Sequence, residues 1–149
     1  MMRKGYSKVS SYLVCNNADK AISFYSEHFD AEEDFRLIGP DGVIMHCEIL
    51  IGDCRLMISD EFPDSGINSP ISLGGSPISM NIYVNDVDAL LPNLIKAGCE
   101  ILAPLKLQFH GDKSAKIRDP FGHAWHVATN VEDVSSKDIV ARFNKMMNG

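Results

Sequence analysis

The residues with most chemistry to offer are His46 and Glu48 in VIMHCEILI and His126 in DPFGHAWHVATN. On a strand, side chains two apart share a face, so His46 and Glu48 would stand roughly 7 Å apart at their Cα atoms. With His126 they make two imidazoles and a carboxylate. That set can act as a general acid/base group on a bound anion, or hold a relocated divalent metal. The plainer reading is a hydrogen-bonded polar cluster lining a cavity. His123 follows the DPFG turn and is expected to be exposed and structural, while Trp125 alternates with His126 and turns its indole toward the helices. QFHGDK sets His110 beside Asp112 on a loop that either gates a site or is plain surface.

Around these, Tyr12, Arg55, Met57, Ser79, Asn81 and Tyr83 are candidates to bind a small anionic or oxygen-rich ligand, with Lys116 and Arg118 as further charges. Other chemistries lack support. There is no G-x-G-x-x-G, no P-loop and no G-x-S-x-G. Cys15, Cys47, Cys54 and Cys99 are scattered inside apolar runs without a C-x-x-C pair, and read as reduced packing residues. Cys47 adjoins His46, but alternation sends the two to opposite faces.

The elements that must position these groups repeat. VSSYLVC reads as a strand ending at the N-cap Asn17, behind which Ala18, Ala21, Ile22, Tyr25 and Phe29 recur at helical spacing. DFRLI, the turn GPDG, VIMHCEILI, the tight turn at Gly52-Asp53 and CRLMIS complete a βαβββ unit. ISMNIYV starts a second one, with caps Asn85 and Asp86 and a stripe of Val87, Leu90, Leu91, Leu94 and Ile95 stopped near Gly98. Pro92 predicts a late start or a kink in that helix. EILAPLKL, SAKIRD and AWHVATN follow. The expected organisation is one domain over 1–149: module one about 8–60, a Pro/Gly/Ser-rich arm about 61–77, module two about 78–131, and an amphipathic helix about 135–147 capped at Ser135.

Alternation gives each strand a greasy face and a mixed one. Met80, Ile82 and Val84 oppose Ser79, Asn81 and Tyr83; Leu56 and Ile58 oppose Arg55, Met57 and Ser59. The mixed face carries Tyr, Met, His and Glu, more than a solvated sheet needs, and suits a sheet cupped around a ligand.

The 149 residues are 45% hydrophobic and 23% charged, an ordinary globular composition. A net charge of -6 without a run of Lys or Arg speaks against a nucleic-acid partner. No secretory or membrane-spanning segment is evident, so no membrane partner and a cytoplasmic location are expected.

The paired βαβββ halves, YLVCNNADKAISFYSEHF, IYVNDVDALLPNLIKAG and the DPFG before the last strand resemble the vicinal oxygen chelate superfamily of glyoxalases, bleomycin-resistance proteins and extradiol dioxygenases. GPDGVIMHCEILIGDCRLMISDEFP, SLGGSP, QFHGDKSAKIRDPFGHAW and ATNVEDVS are similar to its PhnB-like branch. The resemblance implies an α+β fold: two βαβββ modules forming an open, curved mixed sheet around a cavity, helices on the outer face, often as a homodimer. It also implies a divalent metal held by His and Glu from the first and fourth strands of each half. Those positions match Ser10, Met57 (or Ser59), Ser79 and His126. Only His126 is a good ligand, because hydroxyl and thioether groups bind Zn²⁺, Ni²⁺ or Fe²⁺ poorly. The expectation is therefore a small-molecule-binding protein with a degenerate metal site and no cofactor, taking a hydrophobic or anionic ligand. The alternative is a lyase, isomerase or dioxygenase that uses His46, Glu48 and His126 with or without a metal.

Overall fold

A computed structural model describes residue 1 and residues 3–149, in two compact units: 1–77 with 120–123, and 78–119 with 124–149. Each is built around one βαβββ module.

The first unit runs β1 (Tyr12–Cys15), α1 (Ala18–Phe29), β2 (Glu32–Ile38), β3 (Ile44–Ile51), β4 (Cys54–Asp60) and a short α2 (Pro70–Leu73). Its strands lie in the order β1-β4-β3-β2, with β1 parallel to β4 and the rest antiparallel. Asn17 caps α1 by accepting from the Lys20 amide at 3.0 Å. Ala18, Ala21, Ile22, Tyr25 and Phe29 are all buried, so the helical stripe holds as expected. They cover the greasy strand faces, where Leu13, Cys15, Cys47, Ile49, Leu56 and Ile58 are also buried. β1 is shorter than the sequence suggested: it begins at Tyr12, and Val9 is exposed.

The arm is less featureless than its composition. Phe62 bridges Ile67, and Ser69, fully buried, accepts from the Ser72 amide at 3.3 Å to start α2. Residues 120–123 join this unit because Phe121 packs edge-on against Phe24 and Tyr25, with ring centroids 5.9 and 6.3 Å apart. Gly122 is required there. Its φ is +91°, and a Cβ would come within 2.9 Å of the Pro70 Cβ.

The second unit repeats the plan: β5 (Ser79–Tyr83), α3 (Val87–Lys96), β6 (Glu100–Leu107), β7 (Asp112–Arg118), β8 (Ala124–Asn130), then α4 (Ser136–Asn148). Strand order is β5-β8-β7-β6, with β5 parallel to β8. Asp86 caps α3, accepting from the Ala89 amide at 3.0 Å. The helix does not start late: it runs from Val87 through Pro92 to Lys96. Burial of Val87, Leu91 and Leu94 holds the helix in place, and this packing outweighs the local cost of the proline. At its end Gly98 takes φ +99°, and the Gly98 and Cys99 amides donate to Ile95 and Leu94 in a Schellman-type closure.

Two single-residue expectations fail. His123 is buried, not exposed, with its Nε2 3.0 Å from the Val14 carbonyl oxygen and 3.8 Å from the Cys15 sulfur. The turn that carries it docks into the first unit's core instead of projecting outward. Cys54 is exposed because it opens β4 at the Gly52-Asp53 hairpin, whereas Cys15, Cys47 and Cys99 are buried, and none of the four is joined in a disulfide. Burial pushes the Cys47 thiol up to about 11 and the Cys99 thiol up to about 12, which leaves both inert.

Candidate functional site

Register decides which side chains share a face. In the first unit Tyr12 pairs with Met57, Met57 with Glu48, Glu48 with Phe35, Leu50 with Arg55, and Leu37 with His46. The face turned away from α1 therefore carries Tyr12, Phe35, His46, Glu48, Arg55 and Met57 together; alternation predicted this for His46 with Glu48 and for Arg55 with Met57.

At its centre stands Glu48, 1% exposed. Its Oε2 accepts from the Tyr6 hydroxyl at 2.5 Å and from Arg55 Nη1 at 2.6 Å, and its Oε1 lies 3.2 Å from His46 Nε2. Burial pushes the Glu48 carboxyl up, but the hydrogen bonds from Tyr6, His46 and Arg55 outweigh it, and the net shift is downward. Glu48 is thus a buried anion with its partners already supplied. The chain of contacts continues outward: His46 Nδ1 is 2.8 Å from the Tyr12 hydroxyl, and the His46 ring packs against Phe35 at 5.8 Å. Arg55 Nη1 also donates to Asp34 at 2.7 Å. Its Nε is buried and has no acceptor among the described residues.

Tyr6 was not anticipated. Two guanidinium groups lie over its ring, Arg55 at 4.5 Å and Arg3 at 4.4 Å from the centroid. It comes from a stretch before β1 with neither helix nor strand, where no periodicity could signal a role. The only hint in the sequence is an aromatic set among Arg3, Lys4 and Lys8. Asp34, the second partner of Arg55, was likewise missed.

In the second unit Asn81 pairs with His126 and His126 with Lys116, so these three share one face of the sheet, with Ser79 and Tyr83 above and below on β5. Partial burial and, next, the Lys116 charge lower the pKa of His126, so it is neutral at physiological pH. Tyr83 and His110 meet at Asp112. The Tyr83 hydroxyl donates to Asp112 Oδ2 at 2.8 Å, and His110 Nδ1 lies 3.4 Å from the same oxygen. That hydrogen bond, followed by burial, raises the pKa of Tyr83 and keeps it a proton donor. Asn130 donates to the other carboxylate oxygen of Asp112 at 2.9 Å. Arg118 is tied up with Glu100. Trp125 turns to the buried side as expected, its indole donating to Asp119 at 2.9 Å.

The resemblance gives the metal-ligand positions to Ser10, Met57, Ser79 and His126. Met57 of β4 and Ser79 of β5 lie on the polar faces, and Ser10 precedes β1. Thioether and hydroxyl groups are poor ligands for a divalent ion, so of these positions only His126 carries a good donor. Among the described residues, no group of three or more His, Cys, Asp or Glu side chains is arranged to hold one.

A sequence model of the family described as Glyoxalase/Bleomycin resistance protein/Dioxygenase superfamily matches residues 8–127. An uncharacterized protein of Mycobacterium bovis is 35% identical over 144 residues, which cover 95% of each chain. Among solved structures, protein PA1353 from Pseudomonas aeruginosa superposes with a TM-score of 0.70 at 23% identity, covering 85% of this chain and 100% of that one. A PhnB protein from Bacillus cereus gives 0.64 at 19% identity, covering 83% and 99%. The fosfomycin resistance protein FosX from Listeria monocytogenes, complexed with Mn(II) and sulfate, gives 0.65 at 16%, covering 95% and 99%. At these identities the structural matches speak for the fold.

Proposed function

The chain belongs to the glyoxalase/bleomycin resistance protein/dioxygenase superfamily, and from that premise we propose that it binds a small hydrophobic or anionic molecule on the polar faces of its sheets without a tightly held metal. The observation that carries this reading is the donor chemistry: Ser10, Met57 and Ser79 occupy positions that the family resemblance gives to metal ligands, and of those positions only His126 offers an imidazole. Glu48, the best carboxylate on the first sheet's polar face, is already engaged by Arg55, Tyr6 and His46. What remains on those faces is a mixture of aromatic, thioether and hydrogen-bonding groups, including Tyr12, Met57, Ser79, Asn81 and Tyr83. This suits recognition of an apolar body with a few polar atoms. Arg55 and His110 add polar contacts.

A second reading has its own support. The hydroxyl of Tyr12, the imidazole of His46 and the carboxylate of Glu48 form a continuous hydrogen-bonded chain from an exposed tyrosine to a buried anion. Such a relay can move a proton, which is what a lyase, isomerase or dioxygenase would ask of it. FosX, with its Mn(II), shows that the fold accommodates metal in another member.

Metal analysis of the purified protein, combined with thermal shift against Zn²⁺, Ni²⁺, Mn²⁺ and Fe²⁺, separates the two. We expect far less than one metal per chain and no ion-induced rise in melting temperature. Stoichiometric metal that disappears in His126→Ala would overturn the binder reading. We further propose a cytoplasmic homodimer in which the 61–77 arm and α4 meet the partner. Among the described residues, no helix is long and apolar enough to cross a membrane.

A further inference from the structure

Resting on the small-molecule reading above, we propose that the polar face around Glu48, Arg55 and His46 takes an aromatic hydroxyl compound in the place where Tyr6 puts its own phenol, so that Tyr6 is a tethered competitor for the ligand. Tyr6 reaches this face from a stretch that has neither helix nor strand and is largely exposed. What holds its ring is a hydroxyl donated to Glu48 at 2.5 Å and two cation–π contacts, to Arg55 at 4.5 Å and Arg3 at 4.4 Å. A free phenol reproduces the first contact and at least one of the other two. The exchange leaves the apolar core intact, because the residues that pack α1 against the sheet lie on the opposite face.

Glu48 explains why the ligand must carry a hydroxyl. Ionised and 1% exposed, it can only accept, so loss of the Tyr6 hydrogen bond leaves a buried acceptor short of a donor. A ring without a donor stacks on Arg55 but leaves that deficit, and a phenolate meets the carboxylate as a like charge. Neutral phenols satisfy both requirements. The site also has an unmet need that Tyr6 does not fill: Arg55 Nε is a buried donor without an acceptor among the described residues. A ligand with a second oxygen would supply one, which marks this face as built for something larger than the tyrosine side chain.

The test titrates the full-length wild-type chain, Tyr6→Phe and Tyr6→Ala with p-cresol at neutral pH. Amide and side-chain NMR shifts report binding, and 4-methylanisole serves as a control of similar shape with no donor. p-Cresol should bind Tyr6→Ala at least tenfold more tightly than wild type, with Tyr6→Phe between them and shifts at His46 and Arg55. 4-Methylanisole should bind none of the forms measurably. Equal p-cresol affinity for wild type and Tyr6→Ala would overturn the proposal, as would 4-methylanisole binding as well as p-cresol. A chemically broad compound panel runs alongside. If p-cresol is inert while another compound binds all three forms equally, this inference fails and the small-molecule reading stands. If nothing binds any form, both fail.

Discussion

Glu48 shows how a buried charge changes meaning with its surroundings. As a sequence letter beside His46 it suggested a base or a ligand; in the fold it is an anion already bonded by Arg55, Tyr6 and His46. Removing one member of such a set leaves the others buried and uncompensated. We expect Glu48→Gln to lose about 2–3 kcal/mol of stability, measured by urea unfolding at pH 7. The pH dependence follows from the same contacts. The folded-state pKa of Glu48 lies below its ordinary value of 4.5, so its contribution is complete above that value and is lost as pH falls through the depressed one. The Glu48→Gln chain should accordingly show a shallower loss of stability on the acid side. An unchanged acid slope would mean that Glu48 is not ionised in the folded protein.

At the scale of elements, sequence reading succeeded where the cause is local. Asn17, Asp86 and Ser135 cap the helices they were expected to cap, and AWHVATN forms β8 from Ala124 to Asn130. Pro92 does not delay the start of α3. The residue is exposed and lies in mid-helix, where it withholds an amide from the Asp88 carbonyl. Tertiary burial of Val87, Leu91 and Leu94 keeps the helix whole regardless. Pro92→Ala should therefore stabilise the protein, by about 1–3 kcal/mol, seen as a higher thermal midpoint in calorimetry. A lower midpoint would show that the proline ring makes a packing contribution larger than the missing hydrogen bond.

At the scale of the whole molecule, α4 is a helix with no buried residue. Its amphipathic pattern leaves Val140, Phe143, Met146 and Met147 exposed, although Arg142 pairs with Glu132 and Phe143 lies near Phe109. Apolar side chains in that number on one short helix fit an interface better than open solvent. Sedimentation velocity at micromolar concentration should give a dimer, and Phe143→Glu with Met147→Glu should shift it to monomer. A clean monomer for the unaltered chain would count against the homodimer.

The spacing of apolar residues and the capping side chains already specify two βαβββ modules and the face on which each strand residue stands, because periodicity and hydrogen bonding to the nearest amides act over a few positions. The Ser, Met and Ser at the positions that the family resemblance gives to ligands are equally plain from the letters. Tertiary structure alone decides that Glu48 is already bonded, that Tyr6 reaches it from 42 residues away, and that His123 is buried with the DPFG turn against α1. A buried charge must find donors wherever the chain happens to bring them, and no local pattern records which distant residue that will be.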